Sequence, residues 1–335
     1  MQAEELKKKA KKAKKVDLVN ALMMLYQRFP AKQSEELDAS LTAILEGRKQ
    51  KKTVDFATLE NEIDTFITNI KMGYYYKPNR VVSKDQQSRW RFEASKYVKG
   101  LLQITVDDAN YEIANTMLLD LFSLFGASYI YDLFRSHNAF KSLRIKESDF
   151  YKQIVERMVN ASTNVEEFKR LIKAACETIV NDDTLNIELF YELNDVMNEK
   201  QKKESIPICV SLMESLEKRR QNHPRQGRTY EEMRMPMTRQ INTLLREKLC
   251  LESSLGLLSE DSFKYYFDHT THDHLRNAFF YALNDLRPFT DEELIHYYHY
   301  GIEQWHIPST NALRKLYENA MNHLKQENDP SKVEE

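Results

Sequence analysis

Apolar residues recur at helical spacing along most of this chain. A stripe at positions i, i+3, i+4 and i+7 places its members on one face of an α-helix, and packing of that face against other helices removes it from water. The clearest stripes are Phe56, Leu59, Ile63, Phe66, Ile67 and Ile70; Tyr111, Ala114, Leu118, Leu121, Phe122 and Phe125; Phe168, Leu171, Ile172, Ala175, Cys176 and Ile179; and Leu313, Leu316, Tyr317, Ala320 and Leu324. The spacing predicts amphipathic helices that share a core.

Glycine is scarce, with 7 residues in a chain of 335. β-Hairpins and phosphate-binding loops both need glycine, for positive φ or for close backbone approach. The best strand candidate, residues 74–82, carries Pro78 in its middle, which argues for an extended linker. The predicted fold class is therefore all-α. We expect about a dozen amphipathic helices, in an antiparallel bundle or in a degenerate helix-pair array of the HEAT or armadillo kind.

Cap-like pairs and breakers mark the expected helix ends. Asn164 with Glu167, Thr229 with Glu232 and Thr290 with Glu293 predict helix starts. The 8 prolines are scattered singly, as is typical of starts and stops. Polar stretches at 73–83 and 221–229 predict three regions: an N-terminal helical segment with a lysine-rich start (1–72), a central helical domain (73–222) and an aromatic- and histidine-rich C-terminal domain (223–335).

The cysteines and the N-terminal residues favour a cytoplasmic protein. Cys176, Cys209 and Cys250 are odd in number and far apart, which is typical of reduced core thiols. No apolar run reaches the roughly 18 residues that a membrane-spanning helix needs. Seven lysines lie within residues 7–15. Attraction of such a run to an anionic membrane is weak without a second anchor, so we interpret it as a solvated helix start.

Catalytic signatures are missing from the sequence: it contains no Gly-x-Ser-x-Gly, no Walker-type loop and no His-Glu-x-x-His. We therefore predict a non-catalytic scaffold or adaptor, without a cofactor, that binds another macromolecule, with a protein as the first expectation. Its binding residues are expected among the aromatic side chains near the C-terminus, as a contiguous exposed patch with an acidic rim. The selected residues are Tyr297, Tyr298, Tyr300 and Trp305.

Two alternatives use other residues. The first is nucleic-acid binding by the basic and aromatic segments 74–99 and 218–239, because aromatic rings between cations stack on single-stranded bases. Its selected residues are Arg80, Arg89, Trp90, Arg91 and Lys96. The second is a metal-dependent helical enzyme built on the histidine-rich stretch 269–306, with His269, His272 and His296 as ligands. The two Glu-x-x-His pairs of that stretch are too close in sequence to face one another across a bundle, so no metal is the preferred prediction.

Overall fold

The structure is a computed structural model that describes residues 12–26, 55–76, 83, 89–161, 164–178, 187–223, 234–285 and 289–327. Helices account for 77% of these residues, and no strand occurs among them, which confirms the all-α prediction. The described helices are α1 (Lys15–Tyr26), α2 (Phe56–Lys71), α3 (Trp90–Leu102), α4 (Tyr111–Ala127), α5 (Ala139–Leu143), α6 (Glu147–Ala161), α7 (Val165–Glu177), α8 (Ile187–Val196), α9 (Glu199–Gln221), α10 (Met235–Ser254), α11 (Glu260–His269), α12 (Leu275–Asp285), α13 (Asp291–Glu303) and α14 (Asn311–Glu327).

The chain divides into two compact units, Met1–Asp55 and Phe56–Glu335. In the second unit, neighbours in sequence pack together: α2 on α3, α3 on α4 and α13 on α14. Helix α6 packs on α8, the second helix after it. The most extensive pairing joins α9 to α10. Helix α10 also contacts α7, α8, α11 and α12, so it is the central helix of this unit. Whether these helices follow a HEAT-like or armadillo-like repeat stays a prediction.

The predicted apolar stripes form the core. Leu59, Ile63, Phe66 and Ile70 of α2 are buried, and so are five members of the α7 stripe between Phe168 and Cys176. Burying each such side chain contributes roughly 1.5–3 kcal/mol relative to leaving it exposed. The sixth member of the α7 stripe, Ile179, lies outside the described residues.

Local capping determines where several helices begin. Thr290 Oγ1 accepts a hydrogen bond from the Glu293 amide, and Glu293 Oε2 accepts one from the Thr290 amide, which forms the predicted capping box of α13. The Asn164 side chain accepts from the Glu166 amide at the start of α7. The third predicted cap, Thr229, lies outside the described residues.

One proline behaves differently from the sequence prediction. Pro207 lies inside α9, although the prolines were expected at helix ends. A proline there removes one backbone hydrogen bond; the helix continues because residues on both sides of it, Ser205 and Ile208, are buried by tertiary packing.

Tyr74 to Tyr76 form a turn, and the rest of the 74–82 strand candidate lies outside the described residues.

Helix packing crosses both predicted domain boundaries. α2 contacts α3 across residue 73, and α9 contacts α10 across residue 223. Independent folding of the segments 1–72, 73–222 and 223–335 stays a prediction.

Candidate interaction surface

The C-terminal aromatic residues are mostly covered by their own helices. Tyr297 and Tyr298 are each 8% exposed. The hydroxyl of Tyr297 donates to the Leu258 carbonyl oxygen at 3.2 Å, and its ring lies 4.7 Å from that of Phe263. The ring of Tyr298 stacks on Tyr317 of α14, also at 4.7 Å.

Tyr300 and Trp305 are half-buried. Trp305 lies in a cluster of rings, with Phe263, Phe267 and Tyr300 all within 5.5 Å of it between centroids. The structure therefore contradicts the prediction that Tyr297, Tyr298, Tyr300 and Trp305 form a contiguous exposed patch. The aromatic rings project from several sides of α13. They pack against α11, α12 and α14, which surround that helix on several sides.

The histidines of the metal-site alternative do not come together. His269 stacks on Tyr265, and its Nδ1 hydrogen-bonds to the Tyr265 carbonyl oxygen at 2.8 Å. His272 stacks on Tyr281, and His296 is exposed on α13. In the described part of the chain, no group of three or more His, Cys, Asp or Glu side chains is arranged to hold a metal ion. His269, His272 and His296 therefore do not form the ligand set of the metal alternative in this structure, which corrects that alternative.

Asn242 holds the histidine-rich loop against α10. Its Oδ1 accepts hydrogen bonds from the Thr271 amide at 2.9 Å and from the Thr270 hydroxyl at 3.2 Å. These bonds leave His269 on the surface and turn His272 inward. Burial, together with the charge of Arg246, lowers the pKa of His272 to about 4, so its ring is neutral in the folded protein at neutral pH.

A buried ion pair lies beneath this loop. Arg246 of α10, 3% exposed, pairs with the carboxylate of Asp285 at the end of α12. Burial lowers the pKa of Arg246 to about 10. The pair joins α10 to α12, and sequence analysis did not select it. The available signal was the charged run Arg246-Glu247-Lys248 between the leucines at 244, 245 and 249.

The basic and aromatic segment is divided between core and surface. Trp90 is 3% exposed and stacks on Phe134 with centroids 4.1 Å apart. Tyr97 is buried as well. Trp90 therefore cannot stack on a nucleic-acid base in this fold, which corrects its selected role. Arg89 and Arg91 are exposed, and Lys96 contacts Glu62 of α2. Arg80 lies outside the described residues.

The exposed side of α3 carries an aromatic ring that the sequence analysis did not select. Phe92 is 75% exposed. Arg89, Lys96 and Lys99 lie three residues before it, four after it and seven after it, so they share its helix face. We call Arg89, Phe92, Lys96 and Lys99 the α3 stripe. The signal in the sequence was the spacing of these four residues. It places them on the side of α3 opposite to the buried Trp90, Ala94 and Val98.

The second basic segment caps a helix end. Arg234 is buried and donates to the carbonyl oxygens of Arg220 and His223 at 2.6 and 2.8 Å, at the C-terminal end of α9. Arg220 pairs with Glu217 through two contacts of 2.7 and 2.9 Å. Cations there neutralise the partial negative charge of the terminal carbonyl groups. Arg225 and Arg228 lie outside the described residues.

Two clefts lie between helices of the second unit. One of about 430 Å³ lies between α2 and α3 and is lined by Thr, Asn, Glu and Tyr side chains, including Tyr75 and Glu93. The Tyr75 hydroxyl donates to Glu93 Oε2 at 3.1 Å. The other, of about 470 Å³, lies between α9 and α11 and has Met213 and Ile241 among its lining residues.

Among the described helices, none combines the length and the apolar character needed to cross a lipid bilayer. Comparison of the chain with models of protein families, with curated proteins and with solved structures finds no match.

Proposed function

We propose that this chain is a non-catalytic, cytoplasmic helical adaptor that binds another protein through the α3 stripe. The observation that carries the proposal is the 75% exposure of Phe92 within a row of cations. A phenylalanine ring in water gains free energy when a partner covers it, and such anchors carry a large share of interface energies. The proposal places the contact on α3 and not on the C-terminal aromatic residues.

The charge around Phe92 indicates the chemistry of the partner. Arg89, Arg91 and Lys99 are exposed and form no ion pair with the described residues. Lys96 is held against Glu62 at the edge of the stripe. A basic rim around one apolar anchor is complementary to an apolar pocket with an acidic rim, and like-charged partners are repelled.

A protein is favoured over single-stranded nucleic acid because of the number of exposed rings. Binders of single strands stack successive bases on several aromatic side chains along a groove. Of the aromatic residues described between 74 and 99, Phe92 is the one that is exposed; Tyr74 and Tyr76 are half-buried, and Tyr75, Trp90 and Tyr97 are buried. One ring on one helix face is a suitable anchor for a protein pocket.

The distribution of perturbed groups supports a non-catalytic role. Burial raises the pKa of Cys176, of Cys209 and of the Glu247 carboxyl well above their ordinary values. All three side chains are enclosed between helices, where a substrate has no access. The three cysteines are buried thiols outside any disulfide, as is usual in a reducing cytoplasm.

Site-specific photocrosslinking tests the proposal. A benzophenone side chain is introduced at Phe92 in one variant and at Val106, which is 69% exposed, in the matched control. Irradiation in native cells is expected to give a discrete protein adduct from position 92 and none from position 106. With the identified partner, Phe92→Ala should weaken binding by about 2 kcal/mol, or roughly thirtyfold.

Charge reversal gives the second readout. Arg89→Glu should slow association and flatten its dependence on salt, because the basic rim attracts an acidic partner. Equal adducts from positions 92 and 106 would contradict the proposal. A nucleic-acid adduct at position 92 would establish the first alternative in its place.

A further inference from the structure

Helix α1 is apolar around most of its circumference and is exposed. Nine of its 12 residues are apolar, and the polar ones are Lys15, Asp17 and Asn20. Every side chain described between residues 12 and 24 is exposed, and Val16, Met23 and Met24 are each more than half exposed. A helix that is apolar nearly all round is normally buried, so α1 has the composition of a covered element.

The positive charges of this segment precede its apolar residues in the sequence. The lysines at 7, 8, 9, 11, 12, 14 and 15 precede the apolar turns, and no acidic residue interrupts them. Lys12, Lys14 and Lys15 are exposed in the structure. A protein groove that covered α1 would need an apolar wall and, at one end, a dense acidic cluster. An anionic bilayer offers both, with acyl chains below and acidic headgroups above.

The length of α1 is too short to cross a bilayer. Its 12 residues span about 18 Å, against a hydrocarbon core of about 30 Å. A helix end inserted into that core would leave its terminal carbonyl groups without hydrogen-bond partners. The helix therefore lies along one surface of the bilayer, with its apolar side chains in the acyl region and the lysines among the headgroups. A polybasic run alone binds membranes weakly, and a second, apolar contribution is what makes attachment stable.

We propose that residues 12–26 form a peripheral attachment element for anionic lipid surfaces, in which the apolar side chains of α1 enter the acyl region and Lys12, Lys14 and Lys15 bind the acidic headgroups. The site is separate from the α3 stripe and does not depend on the proposed adaptor function. The adaptor would thereby present its protein-binding stripe at a membrane.

Co-sedimentation of the full chain with vesicles tests this proposal. The probes are vesicles of phosphatidylcholine alone and vesicles with about one third phosphatidylserine. We expect binding to the acidic vesicles at least about tenfold tighter than to the neutral ones. Raising the salt concentration from about 50 to about 500 mM should release most of the protein.

Two variants separate the apolar and the cationic contributions. Leu18→Ala, Leu22→Ala and Met23→Ala together keep helix propensity and remove apolar area, and should lower the bound fraction about tenfold. Lys12→Glu, Lys14→Glu and Lys15→Glu together should abolish the preference for acidic vesicles. Val106→Ala, at an exposed apolar residue outside both proposed sites, is the matched control and should bind vesicles like the unchanged chain.

The inference is overturned if the chain does not bind acidic vesicles at low salt, or if the alanine variant binds as well as the unchanged chain. It is also overturned if light scattering shows a dimer that the alanine variant abolishes, because α1 would then be covered by a second copy. None of these outcomes depends on Phe92, so they can be distinguished from a failure of the adaptor proposal.

Discussion

At the scale of single residues, the least expected group is the carboxyl of Glu247, buried in the middle of α10. It is 3% exposed, and burial raises its pKa well above the ordinary value. Asn194 Nδ2 donates to Glu247 Oε2 at 3.2 Å, while Glu247 Oε1 and Asn194 Oδ1 find no other partner among the described residues. A proton on Oε1 could be donated to Oδ1 and would satisfy both atoms. We infer that this carboxyl is neutral in the folded chain.

Stability should therefore fall as the pH rises. The unfolded chain ionises this glutamate above about pH 4.3, while the folded chain keeps its proton up to the raised pKa. Between these two values the folded state binds one more proton, so the free energy of unfolding decreases by up to about 1.4 kcal/mol per pH unit. Glu247→Gln keeps the shape and hydrogen-bonding capacity of the neutral carboxyl and removes its titration.

Urea denaturation at several pH values between about 5 and 8 measures the effect. The unfolding free energy of Glu247→Gln minus that of the unchanged chain should increase as the pH rises. His272 has the opposite sign, because its lowered pKa makes stability fall as the pH drops below about 6.5. Taking the difference between the two proteins cancels the contribution of His272. Parallel pH profiles would show that Glu247 is ionised in the fold.

At the scale of helices, a glycine brings α13 and α12 into close contact. A Cβ atom at Gly301 would overlap the ring of Phe279, which is fully buried. Such overpacking costs about 1–3 kcal/mol, whereas alanine in place of glycine gains about 1 kcal/mol of helix propensity. The steric cost is the larger of the two, because the ring has no room to move.

Gly301→Ala should accordingly lower the free energy of unfolding by up to about 2 kcal/mol. Gly100→Ala in α3 is the matched control. Its Cβ would lie 3.1 Å from Leu59 Cδ2, the mobile end of a side chain, so a small or favourable change is expected. Urea denaturation of both variants decides between the outcomes. Equal effects would mean that Phe279 of α12 moves away from the added Cβ atom as easily as Leu59 does.

At the scale of the whole molecule, the division at residue 55 predicts which fragments of the chain fold on their own. Residues 56–335 alone should unfold cooperatively at the same urea midpoint as the full chain, because they form a compact unit. Residues 56–222 alone should lose fixed tertiary structure, because α9 is separated from α10, its most extensive partner. Near-ultraviolet circular dichroism of the two fragments is the measurement. A well-packed fragment 56–222 would support the sequence-predicted boundary instead.

The sequence by itself determined the secondary structure. Helical spacing, caps such as Thr290 with Glu293 and the scarcity of glycine act through contacts within a few residues, so they predicted the all-α class and the buried stripes of α2 and α7. The exposed Phe92 could have been found in the same way, from its position opposite the buried face of α3.

Only the tertiary structure decided which polar and aromatic side chains reach the surface. Tyr297 and Trp90 are buried because residues distant in sequence, Phe263 and Phe134, pack against them. His269 is exposed and His272 is half-buried, and Asn242 holds the loop between them. The pairing of Arg246 with Asp285 likewise joins residues 39 positions apart. A single helix pattern shows which face is apolar, but it does not show which neighbour covers that face. For this chain that packing covers Tyr297 and Tyr298 and leaves Phe92 of the α3 stripe exposed.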